Sequence, residues 1–137
     1  MTTARNNVVD SSAWLEYFAD GPNASRFASA IEATSRLIVP SIVILEVYKR
    51  MYRLRGERTA QRAAAQLMQG LVIDLDSHIA LTAAQLGLSL QLPLADSIIL
   101  ATARARGAII WTQDADFDGM EKVNFRPHKA GQNKKRR

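Results

Sequence analysis

The sequence predicts an α/β domain built on a mostly parallel sheet flanked by helices, and three observations lead there. Short apolar runs rich in β-branched residues alternate with longer segments of helical periodicity along the chain. Glycine or proline separates most of these segments. Four acids, Asp10, Glu46, Asp96 and Asp114, stand at or near the ends of apolar segments, and in open α/β sheets ligands gather beyond the carboxyl ends of the strands.

The elements follow in order. Asn7-Val8-Val9-Asp10 is a short strand closed by an acid. Ser11 or Ser12 caps the next helix, where Trp14, Leu15 and Phe18 recur at helical spacing until Gly21-Pro22-Asn23 stops it. A helix over residues 24–33 leads to a strand over 37–39, and Pro40-Ser41 forms the junction to a further helix. There Val43, Ile44, Val47, Tyr48, Met51 and Leu54 trace a core-facing stripe that ends near Arg55, before Gly56. An Ala- and Gln-rich helix over 59–69, a strand over 71–74 and a helix over 77–91 come next. Pro93 separates that helix from another over 94–106, closed by Gly107. Residues 108–111 form the clearest strand and 123–125 a weak last one. Neither an internal repeat nor a second-domain linker is apparent.

A chain of 137 residues that is 47% hydrophobic has the size and composition for one sizeable core. With no cysteine and only two histidines, His78 and His128, a metal site must be rich in oxygen ligands. The first residues lack the apolar core of a signal peptide and no apolar run is long enough to span a bilayer, so the expectation is a cytoplasmic protein without membrane contact. The net charge of +5 is concentrated at one end. Five of the 18 basic residues, Lys129, Lys134, Lys135, Arg136 and Arg137, lie in 128–137 and leave 13 against 13 acids elsewhere. Residues 1–127 therefore read as the folded domain and 128–137 as a basic tail without fixed structure, the alternative being a phosphate-binding arm. A second basic stretch includes Lys49, Arg50 and Arg53, just after Glu46. It offers either an RNA-binding wall beside the acids or a solvated helix face.

Each acid has a simpler reading when taken singly. Asp10 can cap the helix after its strand, Asp96 can favour the helix dipole, Asp114 and Asp116 can shape a turn, and Glu46 can sit on a surface helix. Asp10 and Asp114 nevertheless both follow strand ends, and Asp96 shares a helical face with Ile99, Leu100 and Ala103. Carboxylates brought that close raise one another's pKa values, a cost that a divalent cation removes.

Four blocks carry a resemblance that spans residues 8–117. They are Val8-Val9-Asp10-Ser11-Ser12-Ala13-Trp14-Leu15, Pro40-Ser41-Ile42-Val43-Ile44-Leu45-Glu46-Val47, Leu94-Ala95-Asp96-Ser97-Ile98-Ile99-Leu100-Ala101-Thr102-Ala103, and Thr112-Gln113-Asp114-Ala115-Asp116-Phe117. In that order and spacing the chain resembles the PIN-domain proteins, specifically the VapC-type toxin ribonucleases of type II toxin–antitoxin systems. The resemblance implies a three-layer PIN-like fold and an acidic site for Mg²⁺ or Mn²⁺ made by Asp10, Glu46, Asp96 and Asp114, with Asp116 as a fifth acid. It also implies that Ser12 and Thr112 orient the carboxylates, and that the partners are an RNA substrate such as tRNA or rRNA, a VapB-type antitoxin and a second copy of the chain. Ser11 stands where the family often has threonine, and Gln113 where arginine or asparagine is frequent.

The chemistry of the residues agrees with hydrolysis. RNA cleavage through the 2′-hydroxyl relies on an acid and a base that are usually histidines, and His78 and His128 fall on unrelated segments. Two other classes compete. A phosphoacceptor receiver domain needs an adjacent acidic pair after its first strand, which Asp10 lacks. A non-catalytic RNA-binding or interaction module needs only the basic surfaces. On the aromatic residues, Trp14 and Phe18 read as core, and Tyr17 and Tyr52 as partner-facing.

Overall fold

The computed structural model describes residues 5–129, so that 130–137, most of the expected basic tail, lie outside the described residues. Five strands form one sheet in which every pairing is parallel: β1 (Asn7–Val9), β2 (Leu37–Pro40), β3 (Leu71–Ile73), β4 (Ile109–Thr112) and β5 (Val123–Phe125). Their spatial order is β3-β2-β1-β4-β5. Parallel strands need crossover connections, and six helices supply them: α1 (Ser11–Phe18), α2 (Ala24–Glu32), α3 (Ser41–Arg55), α4 (Glu57–Leu67), α5 (Ser77–Leu90) and α6 (Leu94–Ala105). Right-handed crossovers put α1 to α4 on one face, because the chain there steps from β1 to β2 to β3. The return through α5 and α6 to β4 covers the other face. The sheet is thus sandwiched between two helical layers, as expected, with the switch in winding direction between β1 and β4.

The core explains why the short strands hold. Val8, Val9, Leu37, Val39 and Ile110 are buried in the sheet, as a parallel sheet covered on both faces requires. Trp14, Phe27, Ile31, Val43, Val47 and Leu67 close on it from one layer, and Ile99 and Leu100 from the other. Helix α6 is the innermost, with every residue from 97 to 103 buried.

Boundaries move by a few residues from those expected. The left-handed φ of +89° at Gly56 turns the chain within one residue, so α4 begins at Glu57 rather than near 59. Leu54 was expected in the core stripe of α3 and is 61% exposed instead. Val43, Val47 and Met51 are buried, but the last turn of α3 carries Leu54 beyond the core. Among the described residues no single helix is long and apolar enough to cross a membrane.

Candidate active site

The register of β1 against β4 assembles the site. Val9 pairs with Trp111, and the Asp10 amide donates to the Trp111 carbonyl at 3.1 Å, so Asp10 emerges beside Thr112 at the switch point. Asp10 is 2% exposed and serves as the N-cap of α1. Its Oδ1 accepts from the Ala13 amide at 3.0 Å and from the Ser12 hydroxyl at 2.8 Å, while Oδ2 accepts from the Thr112 hydroxyl at 2.6 Å. A carboxylate offers about four acceptor positions, so Oδ2 retains one. The capping and site readings of Asp10 are therefore compatible.

Ser12 and Thr112 do more than hold Asp10. Ser12 Oγ also accepts from the Gln113 amide at 3.1 Å, and Thr112 Oγ1 accepts from the Asp114 amide at 2.8 Å. Each hydroxyl thus links the buried carboxylate to the backbone leaving β4. Asp114 Oδ1 then accepts from the Asp116 amide at 2.9 Å and caps the 3₁₀ turn Ala115–Phe117, whose Phe117 is fully buried. The turn reading of Asp114 holds too, and it directs Asp116 to the same side.

Across the crevice, Pro93 starts α6 and places Asp96 in its first turn, where the helix dipole favours an anion. Carboxylate oxygens of Asp96, Asp114 and Asp116 lie within 4.8 Å of one another. Burial pushes the Asp96 carboxyl up to about 8, aided by the charges of Asp114 and Asp10 and by the close approach of Asp114 and Asp116. Burial likewise raises Asp10 to about 6 despite the opposing hydrogen bonds from Thr112, Ser12 and Ala13. The donor set is entirely hard oxygen and carries uncompensated repulsion, which fits a Mg²⁺ or Mn²⁺ ion.

Glu46 is held apart from this tight group. Its Oε1 accepts from the Ser11 hydroxyl at 2.5 Å, tying α3 to the start of α1. It lines an adjoining groove of about 520 Å³ with Lys49, Arg50, Arg53 and Ala95, the neighbour of Asp96. Lys49, Arg50 and Arg53 are exposed there. The basic stretch thus borders Glu46 as well as facing solvent.

Two residues carry more of the architecture than the sequence suggested. Glu16 is buried, and its Oε2 accepts from the Asn23 amide at 2.7 Å. Asn23 is buried as well, and donates its side-chain amide to Gln113 Oε1 at 2.7 Å and to the Pro127 carbonyl at 3.0 Å. The segment that follows β4 is thereby fixed to the α1–α2 corner. An acid at position 16 of an amphipathic helix reads as surface, and only the return of the chain at Gly21 reveals otherwise. A methyl group on Gly21 would meet the Glu16 carboxylate. Gly21→Ala is expected to destabilise the protein by about 1–3 kcal/mol, which chemical denaturation would measure; an unchanged midpoint would show that Glu16 can move aside.

The PIN domain profile covers residues 8–123. Comparison with curated protein sequences gives no match. Among solved structures, a toxin–antitoxin complex from Klebsiella pneumoniae contains a chain 26% identical, with a TM-score of 0.74 over 87% of this chain and 96% of that one. DNA-bound VapBC from Salmonella typhimurium gives 17% identity and a TM-score of 0.70, covering 90% and 98%. Mycobacterium tuberculosis VapC20, a sarcin–ricin-loop-cleaving toxin, gives 20% and 0.70, covering 86% and 98%. The sequence profile and the fold agree, and the chain belongs to the PIN domain family.

Proposed function

We propose that this protein is a metal-dependent endoribonuclease and the toxin of a toxin–antitoxin pair. The observation that carries the reading is the convergence of Asp96, Asp114 and Asp116 within 4.8 Å at the switch point, beside the buried Asp10. Asp96, Asp114 and Asp116 supply hard oxygens, and Asp10 presents its remaining acceptor from a carboxylate that Ser12 and Thr112 lock in place. Glu46 stands as a further acid at the border of the groove. A divalent cation at this position lowers the pKa of a water molecule and offsets charge building on a phosphate. Lys49, Arg50 and Arg53 hold the RNA backbone in the adjoining groove, where their charge is not screened by nearby acids other than Glu46. Hydrolysis leaves 3′-hydroxyl and 5′-phosphate ends.

Histidine chemistry has little support, since His78 is exposed on the first turn of α5 and His128 lies 3.8 Å from Glu16. The partner reading rests on the likeness to toxin–antitoxin complexes and takes a VapB-type antitoxin to cover the site. A homodimer accompanies it, for which the exposed Leu81, Leu88 and Leu94 offer apolar surface. The cytoplasm is the compartment that such a substrate and partner require.

Asp10→Asn separates enzyme from binder. With purified protein and total cellular RNA, Mn²⁺-dependent cleavage is expected from the wild type and not from the variant, while both bind RNA in chelator. Equal cleavage by the two would remove Asp10 from the site. Mn²⁺ is also expected to raise the melting temperature of the wild type at pH 8 by several degrees, since it binds the folded acids alone; a shift equal to that given by added salt would count against a cation site.

A further inference from the structure

We propose that the groove beside edge strand β5 is a phosphate-binding surface for RNA that runs on from the acid site. The inference rests on the RNA-cleaving reading and extends the strand's footprint past the acids to a second set of side chains. Arg5, Lys122, Asn124 and Arg126 line this groove together with Ile109, Val123 and Phe125, and no acid is among its lining residues. Four donors and no carboxylate match a polyanion.

Two further observations mark the groove as more than a solvated edge. Among the described residues Arg126 Nε is buried and has no hydrogen-bond partner, so a guanidinium donor is removed from water without an acceptor from that part of the chain. Lys122 has a φ of +59°, a left-handed conformation that glycine or asparagine adopts more readily. A lysine kept in that conformation, with its side chain on the groove, is the kind of local outlier from which a binding role is inferred.

Continuity with the acids favours nucleic acid over an acidic peptide. The Arg126 amide donates to the Thr112 carbonyl at 2.9 Å, and Thr112 in turn holds Asp10. A strand leaving the acids along β5 therefore meets Arg126 first and Lys122 about 13 Å further on, the rise of four strand residues and room for two or three phosphates. The chain's own tail is a poor occupant, since Lys134, Lys135, Arg136 and Arg137 repeat the charge of the groove.

The test uses the full chain in chelator with a labelled single-stranded RNA of about 20 nucleotides, against Lys122→Gly and the double variant Arg5→Gln/Lys122→Gly. Glycine suits the left-handed φ, so Lys122→Gly removes charge without straining the fold, and melting curves check this. The double variant is expected to bind RNA about five- to tenfold more weakly at low salt, with the slope of log affinity against log salt reduced by about 0.7 per lost phosphate contact. An unchanged affinity and slope would overturn the proposal. So would a loss confined to a polyglutamate probe, which would assign the groove to acidic protein instead. Failure of the wild type to cut RNA with Mg²⁺ would sink the nuclease reading and leave this binding result intact, so the two can fail separately.

Discussion

Replacing Asp96 with asparagine is expected to lower metal-dependent RNA cleavage by about a hundredfold or more, and at the same time to raise the melting temperature of the metal-free protein at pH 8. The two effects share one cause. Asp96 carries its carboxyl at about 8 because burial and the neighbouring Asp114, Asp116 and Asp10 disfavour its charge. Asparagine keeps the shape and removes that charge. Allowing for solvent screening of a half-buried group, the gain in the metal-free state is about 1–2 kcal/mol, or about 3–8 °C.

The pH dependence follows with a definite sign. Asp10 at about 6 and Asp96 at about 8 both lie above the ordinary value of 3.8. Between pH 4 and 8 the folded protein keeps protons that the unfolded chain has released, so metal-free stability falls as pH rises through that window. Asp96→Asn is expected to flatten the upper part of the fall, and saturating Mn²⁺ to do the same for the wild type. Thermal melts at pH 5 and pH 8 with and without Mn²⁺ measure both. A variant less stable than the wild type at pH 8 would mean that Asp96 is stabilised by a partner rather than strained by its neighbours.

Thr112→Val is expected to cost about 2–3 kcal/mol of stability and to reduce cleavage about ten- to a hundredfold. Valine fills the same volume at a position with no exposure, so packing changes little. What disappears is a hydroxyl that donates to Asp10 Oδ2 at 2.6 Å and accepts from the Asp114 amide at 2.8 Å. The buried Asp10 Oδ2 and the half-buried Asp114 amide lose their partner together, and one of the links between the ends of β1 and β4 is cut. Thr112→Ser restores the hydroxyl and is expected to recover most of the activity. Serine as impaired as valine would contradict the role given to the hydroxyl.

Much of this arrangement was legible in the sequence because parallel strands are short, buried and bounded. Asn7-Val8-Val9 and Ile110-Trp111-Thr112 carry their strand character locally, and the acids that follow them lie at the carboxyl edge of the sheet by topology alone. Asp96 was readable from its place in the first turn of an apolar helix. The grouping within the site was harder. Asp116 joins Asp96 and Asp114 within 4.8 Å because a 3₁₀ turn redirects the chain after Asp114, whereas Glu46 is drawn toward Ser11 by a hydrogen bond between elements 35 residues apart. Long-range pairs of that kind leave no periodic trace. The same holds for Glu16, whose burial depends on Asn23 and Gly21 closing over it, and for Leu54, whose helical phase suits the core although the helix has outrun it.

Metal-dependent hydrolysis is tested most directly by mapping the RNA ends made by the purified, partner-free protein from total cellular RNA, with Mg²⁺ and with chelator, beside Asp96→Asn. New 5′-phosphate and 3′-hydroxyl ends that require Mg²⁺ and are missing with the variant are expected. Ends carrying 2′,3′-cyclic phosphate, or cleavage that persists in chelator, would contradict it.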